Sequence, residues 1–223
     1  MMINMKVLNI IIPDKPKYYG HIERLQNTDK IKIVLNDSSN IYCTYILNNK
    51  HTDHCGDNVI NGQFINKKYK KKDVQQTLKS EGFLVPEIYE EFPDNGQVYL
   101  KENTHEGRNT IFNSKINAEI FIKQNNINDY YYEEDLRSKK CKEYQETKFY
   151  FIFGKLFDEK FEIENIELLN LCLLISKVFS LDVYSIDIIT IDKISYIIDL
   201  NHCPGFYKSN IARNYFIETL SKL

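Results

Sequence analysis

Near the carboxyl end of the chain, Asp199 and Asn201 flank Leu200 at the close of the run SYIIDLN. A strand sends alternate side chains to opposite faces, so these two oxygen donors share one face of it. Asp187, in the preceding run VYSIDIITID, is a third hard oxygen donor, on the strand before a tight turn expected near Asp192 and Lys193. Two carboxylates and an amide oxygen suit Mg²⁺, which keeps part of its water shell and shares its remaining positions with phosphate oxygens. Cations that can lie along a phosphate chain stand at the ends of other expected elements. Lys71 and Lys72 open a helix, Lys101 closes a strand and Lys148 opens another. Lysine meets phosphate as a point charge, while Arg108, next to Gly107 in NTHEGRN, offers a terminal phosphate a forked set of donors. Neither GxxxxGKS/T nor GxGxxG occurs, which excludes a P-loop and a Rossmann site.

The elements that must position these groups follow from hydrophobic pattern and turn residues. MKVLNIII (5–12), KIKIVLND (30–37) and IYCTYIL (41–47) read as strands, with a short helix around 18–26, giving a small α/β unit over the first sixty residues. A helix of about ten residues starts at the lysine run; Gly82 is placed to end it and Pro86 bars its continuation. Residues 97–112 read as strand, polar loop and strand, with Gly107 the loop residue free to take positive φ. INAEIFIKQNN is a helix, DYYYEEDL a strand ending in acids, and TKFYFIFGKLF a strand that turns at Gly154. IELLNLCLLISKVFSL has the apolar positions of a buried helix, the two acid-bearing strands follow, and an amphipathic helix runs from about Ser209.

Composition narrows the function classes. The 223 residues carry 29 Lys and Arg against 31 Asp and Glu, a net charge of −2, so no global basic field points to nucleic acid. No apolar run reaches the roughly 18 residues that a membrane-spanning helix needs. The apolar run near Met1 lacks a basic flank and a small-residue cleavage site, so a buried strand is expected there and not a signal peptide. Five widely spaced cysteines, Cys43, Cys55, Cys141, Cys172 and Cys203, point to reduced thiols and a cytoplasmic setting. His51, His54 and Cys55 lie close together in HTDHCGD but lack a second ligand pair at zinc spacing, so a polar loop is expected. NKKYKKKD (66–73) packs five lysines, which form a solvated helix start or loop, or else the floor of a site for a polyanion.

Taken in order, the lysine-bearing helix start, the Lys101 strand, the glycine loop, the acidic strand, the Lys148 strand, the long helix and the Asp…Asp-x-Asn hairpin resemble the ATP-grasp enzymes from about Val59 onward. NVINGQ, KKKDVQQTLKSEGFLVP, YYYEED, TKFYFIFG and SIDIITIDKISYIIDLN followed by FYKSN are most similar to the diphosphoinositol pentakisphosphate kinases, and next to the inositol trisphosphate kinases of ATP-grasp type. Asp199 and Lys148 stand where the carboxylate-amine ligases of this fold usually carry Glu and Arg. Two features depart from the kinase pattern: NTHEGRN has a single glycine, and HCPG after Asn201 looks more like the trisphosphate kinases and many ligases.

The resemblance implies an α/β (α+β) ATP-grasp fold, with nucleotide held between two mixed or antiparallel sheets. It implies a small N-terminal α/β unit over 1–60, a catalytic region over 61–223 and a central lid part at about 88–135. ATP and Mg²⁺ would be the cofactors of a kinase acting on an inositol phosphate or inositol pyrophosphate. The alternatives are an ATP-grasp carboxylate-amine ligase and a non-catalytic nucleotide- or polyanion-binding module. Asp187, Asp199 and Asn201 would hold two Mg²⁺ ions. Lys101 would touch the α- or β-phosphate, Lys148 and one of Lys71 and Lys72 would face the phosphates, and Arg108, beside Gly107, would orient the γ-phosphate. Backbone groups of the segment running from Glu133 and Glu134 to Leu136 would meet adenine. If the acceptor is a hydroxyl, Asp187 or a nearby acid would take its proton, whereas a phosphate acceptor needs no base. A polyanionic acceptor calls for further cations, for which Lys67, Lys68, Lys70, Lys208 and Arg213 are the candidates, with His105 and His202. The implied partner is a small polyanionic molecule, not nucleic acid or a membrane, and the oligomeric state is left open, a monomer being compatible with the reading.

Overall fold

The computed structural model describes residues 6–11, 31–35, 43–46, 59–94, 96–104 and 109–222. The expected helix at 18–26, the histidine-cysteine loop at 51–57 and the loop residues His105, Gly107 and Arg108 lie outside these residues. In chain order the elements are β1 (Lys6–Ile11), β2 (Ile31–Leu35), β3 (Cys43–Ile46), α1 (Gly62–Lys67), α2 (Lys71–Ser80), β4 (Ile88–Tyr89), β5 (Val98–Glu102), β6 (Asn109–Phe112), α3 (Lys115–Asn125), β7 (Tyr130–Glu134), β8 (Tyr144–Ile152), β9 (Lys155–Phe157), α4 (Ile166–Phe179), β10 (Val183–Ile191), β11 (Ile194–Asn201) and α5 (Asn210–Lys222). They form three sheets, a parallel one in the order β2-β1-β3, an antiparallel one in the order β4-β7-β5-β6, and a third in the order β11-β10-β8-β9. Among the described residues no helix is long and apolar enough to cross a membrane. The chain divides into two compact units, one of residues 1–68, 148–186 and 200–223, the other of residues 69–147 and 187–199.

The first unit is built on aromatic packing. Ala212, Phe216 and Leu220 recur every four residues along α5 and so form one apolar stripe. That stripe meets Tyr150, Ile152, Phe157 and Val183, with Phe206 stacked between Tyr150 and Phe216 at centroid distances of 5.9 and 5.0 Å. Asn165 starts α4 by accepting the Leu168 N–H at 2.9 Å, which satisfies one of the helix's orphan donors. Two-residue turns join β8 to β9 through Phe153 and Gly154, and β10 to β11 through Asp192 and Lys193. All four turn residues have positive φ, the twist that suits a two-residue hairpin.

The second unit stands on the β4-β7-β5-β6 sheet. Val98 and Leu100 on β5, with Tyr132 on β7, face Ala118 of α3 and Ile127 and form its core. The intervening positions Tyr99 and Lys101 therefore fall on the opposite face. A second cluster holds Leu136 against Ile189, Ile191 and Ile198, so the hairpin of β10 and β11 is packed into this unit through its apolar residues.

Asn61 does the most for the first unit with a single side chain. It sits in the left-handed region, φ 59°, a conformation that asparagine tolerates better than most residues. Its amide donates to the carbonyls of Val183 and His202 and accepts the N–H groups of Asp182 and Val183, at 2.8 and 3.2 Å for the latter pair. Truncation would strand those backbone groups in the interior. Asn61→Ala is expected to lower unfolding free energy by about 3 kcal/mol, read as a lower urea midpoint. A loss under about 1 kcal/mol would show that water replaces the amide.

Candidate functional site

Cross-strand register builds the charged centre of the second unit. On the antiparallel pair β5 and β7, Lys101 lies opposite Tyr131 and Tyr99 opposite Glu133. Directly opposed residues share a face, so Lys101 and Glu133 are diagonal neighbours, within reach of long side chains. Their side chains meet at 2.5 Å, and both residues are buried. The Lys101 ammonium also donates to the Ile198 carbonyl of β11 at 3.2 Å. That carbonyl accepts a second hydrogen bond, at 3.0 Å, from Nε2 of Gln75 on α2. One turn earlier on the same helix, Lys71 Nζ lies 3.8 Å from Oδ1 of Asp199. α2 therefore presents Lys71 and Gln75, four residues apart on one face, to two consecutive residues of β11.

The electrostatics of this centre are those of charges taken out of water. Burial pushes the Glu133 carboxyl above its ordinary range, the neighbouring Lys101 ammonium opposes that rise, and the Asp199 carboxylate adds to it. Glu133 Oε2 and Gln75 Oε1 are buried and accept no hydrogen bond in this structure. Burial, with Glu133 and Asp199 nearby, raises the Tyr131 phenol far above its ordinary value, so it stays protonated.

The start of α2 is held from outside the helix. Asn103, just past β5, accepts the Lys72 N–H at 2.9 Å and donates to Asp129 at 3.1 Å, and Asp129 in turn holds Lys70 at 2.7 Å. These bonds lower the Asp129 carboxyl, the Lys70 hydrogen bond first, and raise the exposed Lys70. Lys72 pairs with Glu90 at 2.5 Å. Of the two lysines that the sequence left as alternatives, Lys71 points to the acid of β11 and Lys72 to Glu90.

The remaining candidates fall as follows. Glu134 holds Lys139 at 2.8 Å, and Leu136 is in the apolar cluster beneath the hairpin. The N–H groups of Glu134 and Asp135 donate to the carbonyls of Glu87 and Gln97. Asp187 is partly buried on β10, in the second unit with Asp199. Lys148, Asn201, His202, Lys208 and Arg213 belong to the first unit, as do the exposed Lys67 and Lys68. Asn201 Oδ1 accepts the Cys203 N–H at 2.9 Å. His202 is 1% exposed, with its ring centred 4.8 Å from that of Phe64. Lys208 lies 3.7 Å from Glu159, and Arg213 donates to Asn214. Gln75, Asn103 and Asp129 escaped the sequence reading. The four-residue step from Lys71 to Gln75 was a usable signal, whereas Asn103 and Asp129 are 26 residues apart and meet only by folding.

Among the described residues no three His, Cys, Asp or Glu side chains converge as a metal cage. The carboxylates of Asp187 and Asp199, both in the second unit, are of the donor type that a hard cation takes while completing its shell with water and phosphate oxygens. The ammonium groups of Lys71 and Lys101, each held by an acid, fit a phosphate chain, and the unbonded Glu133 oxygen fits a donor on a ligand or water.

The class of protein is defined by the fold. The chain has the ATP-grasp fold, as its likeness to solved structures shows. It matches the D-alanine–D-alanine ligase of Bacillus anthracis in complex with ATP at a TM-score of 0.67, with 14% identity, covering 97% of this chain and 94% of that one. It matches a RimK domain ATP-grasp protein of Sphaerobacter thermophilus at 0.68, with 10% identity over 97% and 100% of the two chains. The ATP-grasp ligase PsnB, in complex with a minimal precursor, Mg and ADP, gives 0.62 with 13% identity over 99% and 100%. No protein-family model and no curated protein matches the sequence.

Removing the Lys101 ammonium would leave Glu133 buried without its cation. Lys101→Met is expected to cost about 3 kcal/mol at pH 7, the free energy of protonating a carboxyl of ordinary value 4.5 at that pH. The sign follows from linkage: with its folded value raised, Glu133 favours the folded state below 4.5 and loses that contribution as pH rises toward the folded value. The difference between variant and parent should therefore shrink as pH falls from 7 to 5 in urea unfolding. A difference independent of pH would show that Lys101 contributes packing and not charge.

Proposed function

We propose that this protein is an ATP-dependent enzyme that transfers the γ-phosphoryl group of ATP to a carboxylate and joins the activated carboxylate to an amine. The observation that carries this reading is the buried centre of the second unit, where Lys71 and Lys101 are held by Asp199 and Glu133 on the fold shared with the ligases. In the first step a carboxylate oxygen of the acceptor bonds to the γ-phosphorus and the bond to ADP breaks. In the second the amine nitrogen bonds to the acyl carbon, phosphate leaves and the amine gives up a proton. Both steps ask the protein for alignment and charge neutralisation more than for covalent chemistry.

Lys101 and Lys71 are the groups proposed to meet the phosphates, with Lys148 and Arg108 as further candidates. Asp187, Asp199 and Asn201 are the proposed ligands of Mg²⁺, which when bound offsets phosphate charge. Acids that hold the lysines before nucleotide arrives keep the ammonium groups near where phosphate would lie, which limits the reorganisation that binding requires.

A second acceptor, an inositol phosphate, is favoured by Asp199 and Lys148, which stand where ligases of this fold usually carry Glu and Arg. The cations it would need are less favourable to it. Lys70 and Lys208 lie beside Asp129 and Glu159, and Arg213 is turned to Asn214, so none is held toward an acceptor.

The test is ADP release by purified protein with Mg²⁺ and ATP, against panels of carboxylates with amines and of inositol phosphates, beside Asp199→Asn. Release that requires both a carboxylate and an amine, and that falls at least about a hundredfold in the variant, is the expected result. Release driven by an inositol phosphate alone would transfer the assignment to the kinase, and nucleotide binding without release under either panel would leave a binding module.

A further inference from the structure

Gln75 is 3% exposed in the middle of α2, where a glutamine earns no helix stability that alanine would not give. Its burial costs free energy unless its amide is used. Nε2 is used, on the Ile198 carbonyl at 3.0 Å, and Oε1 accepts nothing. A half-satisfied buried amide points to a role beyond filling space.

Ile198 immediately precedes one of the acids. Its carbonyl belongs to the peptide that leads into Asp199. Thr190 and Ser195 are hydrogen bonded at 2.9 Å across the hairpin with the turn at Asp192 and Lys193, which ties the strand of Asp187 to that of Asp199. The Ile198 peptide leads directly into one of the carboxylates proposed to hold metal. Two donors fix it: Gln75, and the Lys101 ammonium at 3.2 Å. Lys101 is the group that a phosphate would draw on, and Gln75 is neutral and would not be drawn.

Resting on the reading under Proposed function, we infer that Gln75 is a positioning residue: its amide keeps the Ile198–Asp199 peptide, and with it the Asp199 carboxylate, in place when Lys101 turns to phosphate. Lys71 and Gln75 on one face of α2 then act on β11 together, the lysine on the Asp199 side chain and the glutamine on the backbone before it.

Two variants test this, Gln75→Met, which keeps length and loses the amide, and Gln75→Glu, which keeps shape and loses the donor at neutral pH. The first measurement is amide hydrogen exchange of the peptide spanning 194–203 in the protein alone, which needs no activity. Faster exchange confined to that peptide, in whichever variant keeps its melting temperature, is expected; exchange unchanged there, or raised evenly over the whole chain, overturns the inference. The second is ATP binding titrated with Mg²⁺. Both variants should need about tenfold more Mg²⁺ for half-saturation, with unchanged ATP binding in its absence; an unchanged Mg²⁺ requirement alongside intact binding also overturns it. Should the parent bind no ATP, the enzyme reading fails, and the exchange result alone decides whether Gln75 holds β11.

Discussion

A buried ammonium is the constraint on which the second unit depends. Lys101 has been taken out of water, and it is tolerable there only because Glu133 and the Ile198 carbonyl surround it. The pair also specifies register. A one-residue slip of β5 against β7 would turn Lys101 into the face that Leu100 and Val98 share with Ala118, placing a charge in an apolar core. The same interaction that holds a buried ammonium in place therefore fixes the sheet that carries it.

α2 transmits that order to β11. Its period of 3.6 residues sets Lys71 and Gln75 on one side, and Asn103 and Asp129 tie its first turn to the end of β5. Ile197 N–H, bonded to the Leu84 carbonyl at 2.9 Å, adds a third hold on the same stretch of β11. An edge strand carries a row of backbone groups with no strand to meet them, and here part of that row is met by a helix side chain, a loop carbonyl and a lysine. Functional side chains mounted on elements held this way keep their positions without help from a ligand.

The first unit secures the ends of the two acid-bearing strands by other means. Asn61 binds the backbone where β10 begins and where β11 has just ended, and the stack of Tyr150, Phe206 and Phe216 fills the space beside them. Likeness to ligases at 14% identity and below shows how little of the sequence such a frame requires: turns at the right places, apolar alternation, and a few polar groups with fixed jobs. A shared frame does not carry a shared substrate, because the acceptor meets side chains that the frame leaves free to vary.

Local information was enough for most of the elements. The strands, the ten-residue helix at the lysine run, the turns at Gly154 and at Asp192 and Lys193, and the long apolar helix are written in periodicity and in residues suited to positive φ, and lie where the pattern set them, except that β8 begins at Tyr144 in a polar stretch with no apolar signal, so that Lys148 lies mid-strand and does not open it. α1 and the two-residue strand β4 had no such signal, because six residues and two residues are too short to show a period. The sequence also narrowed the chemistry to lysines and hard oxygen donors. Which of Lys71 and Lys72 turns to Asp199 was decided only by tertiary structure, because adjacent helix residues point about 100° apart and the location of Glu90 is not a local property. Burial of Lys101 and Glu133, enclosure of His202 against Phe64, and the meeting of Gln75 with Ile198 likewise join residues from 32 to 138 positions apart, and no periodicity reports contacts at that range.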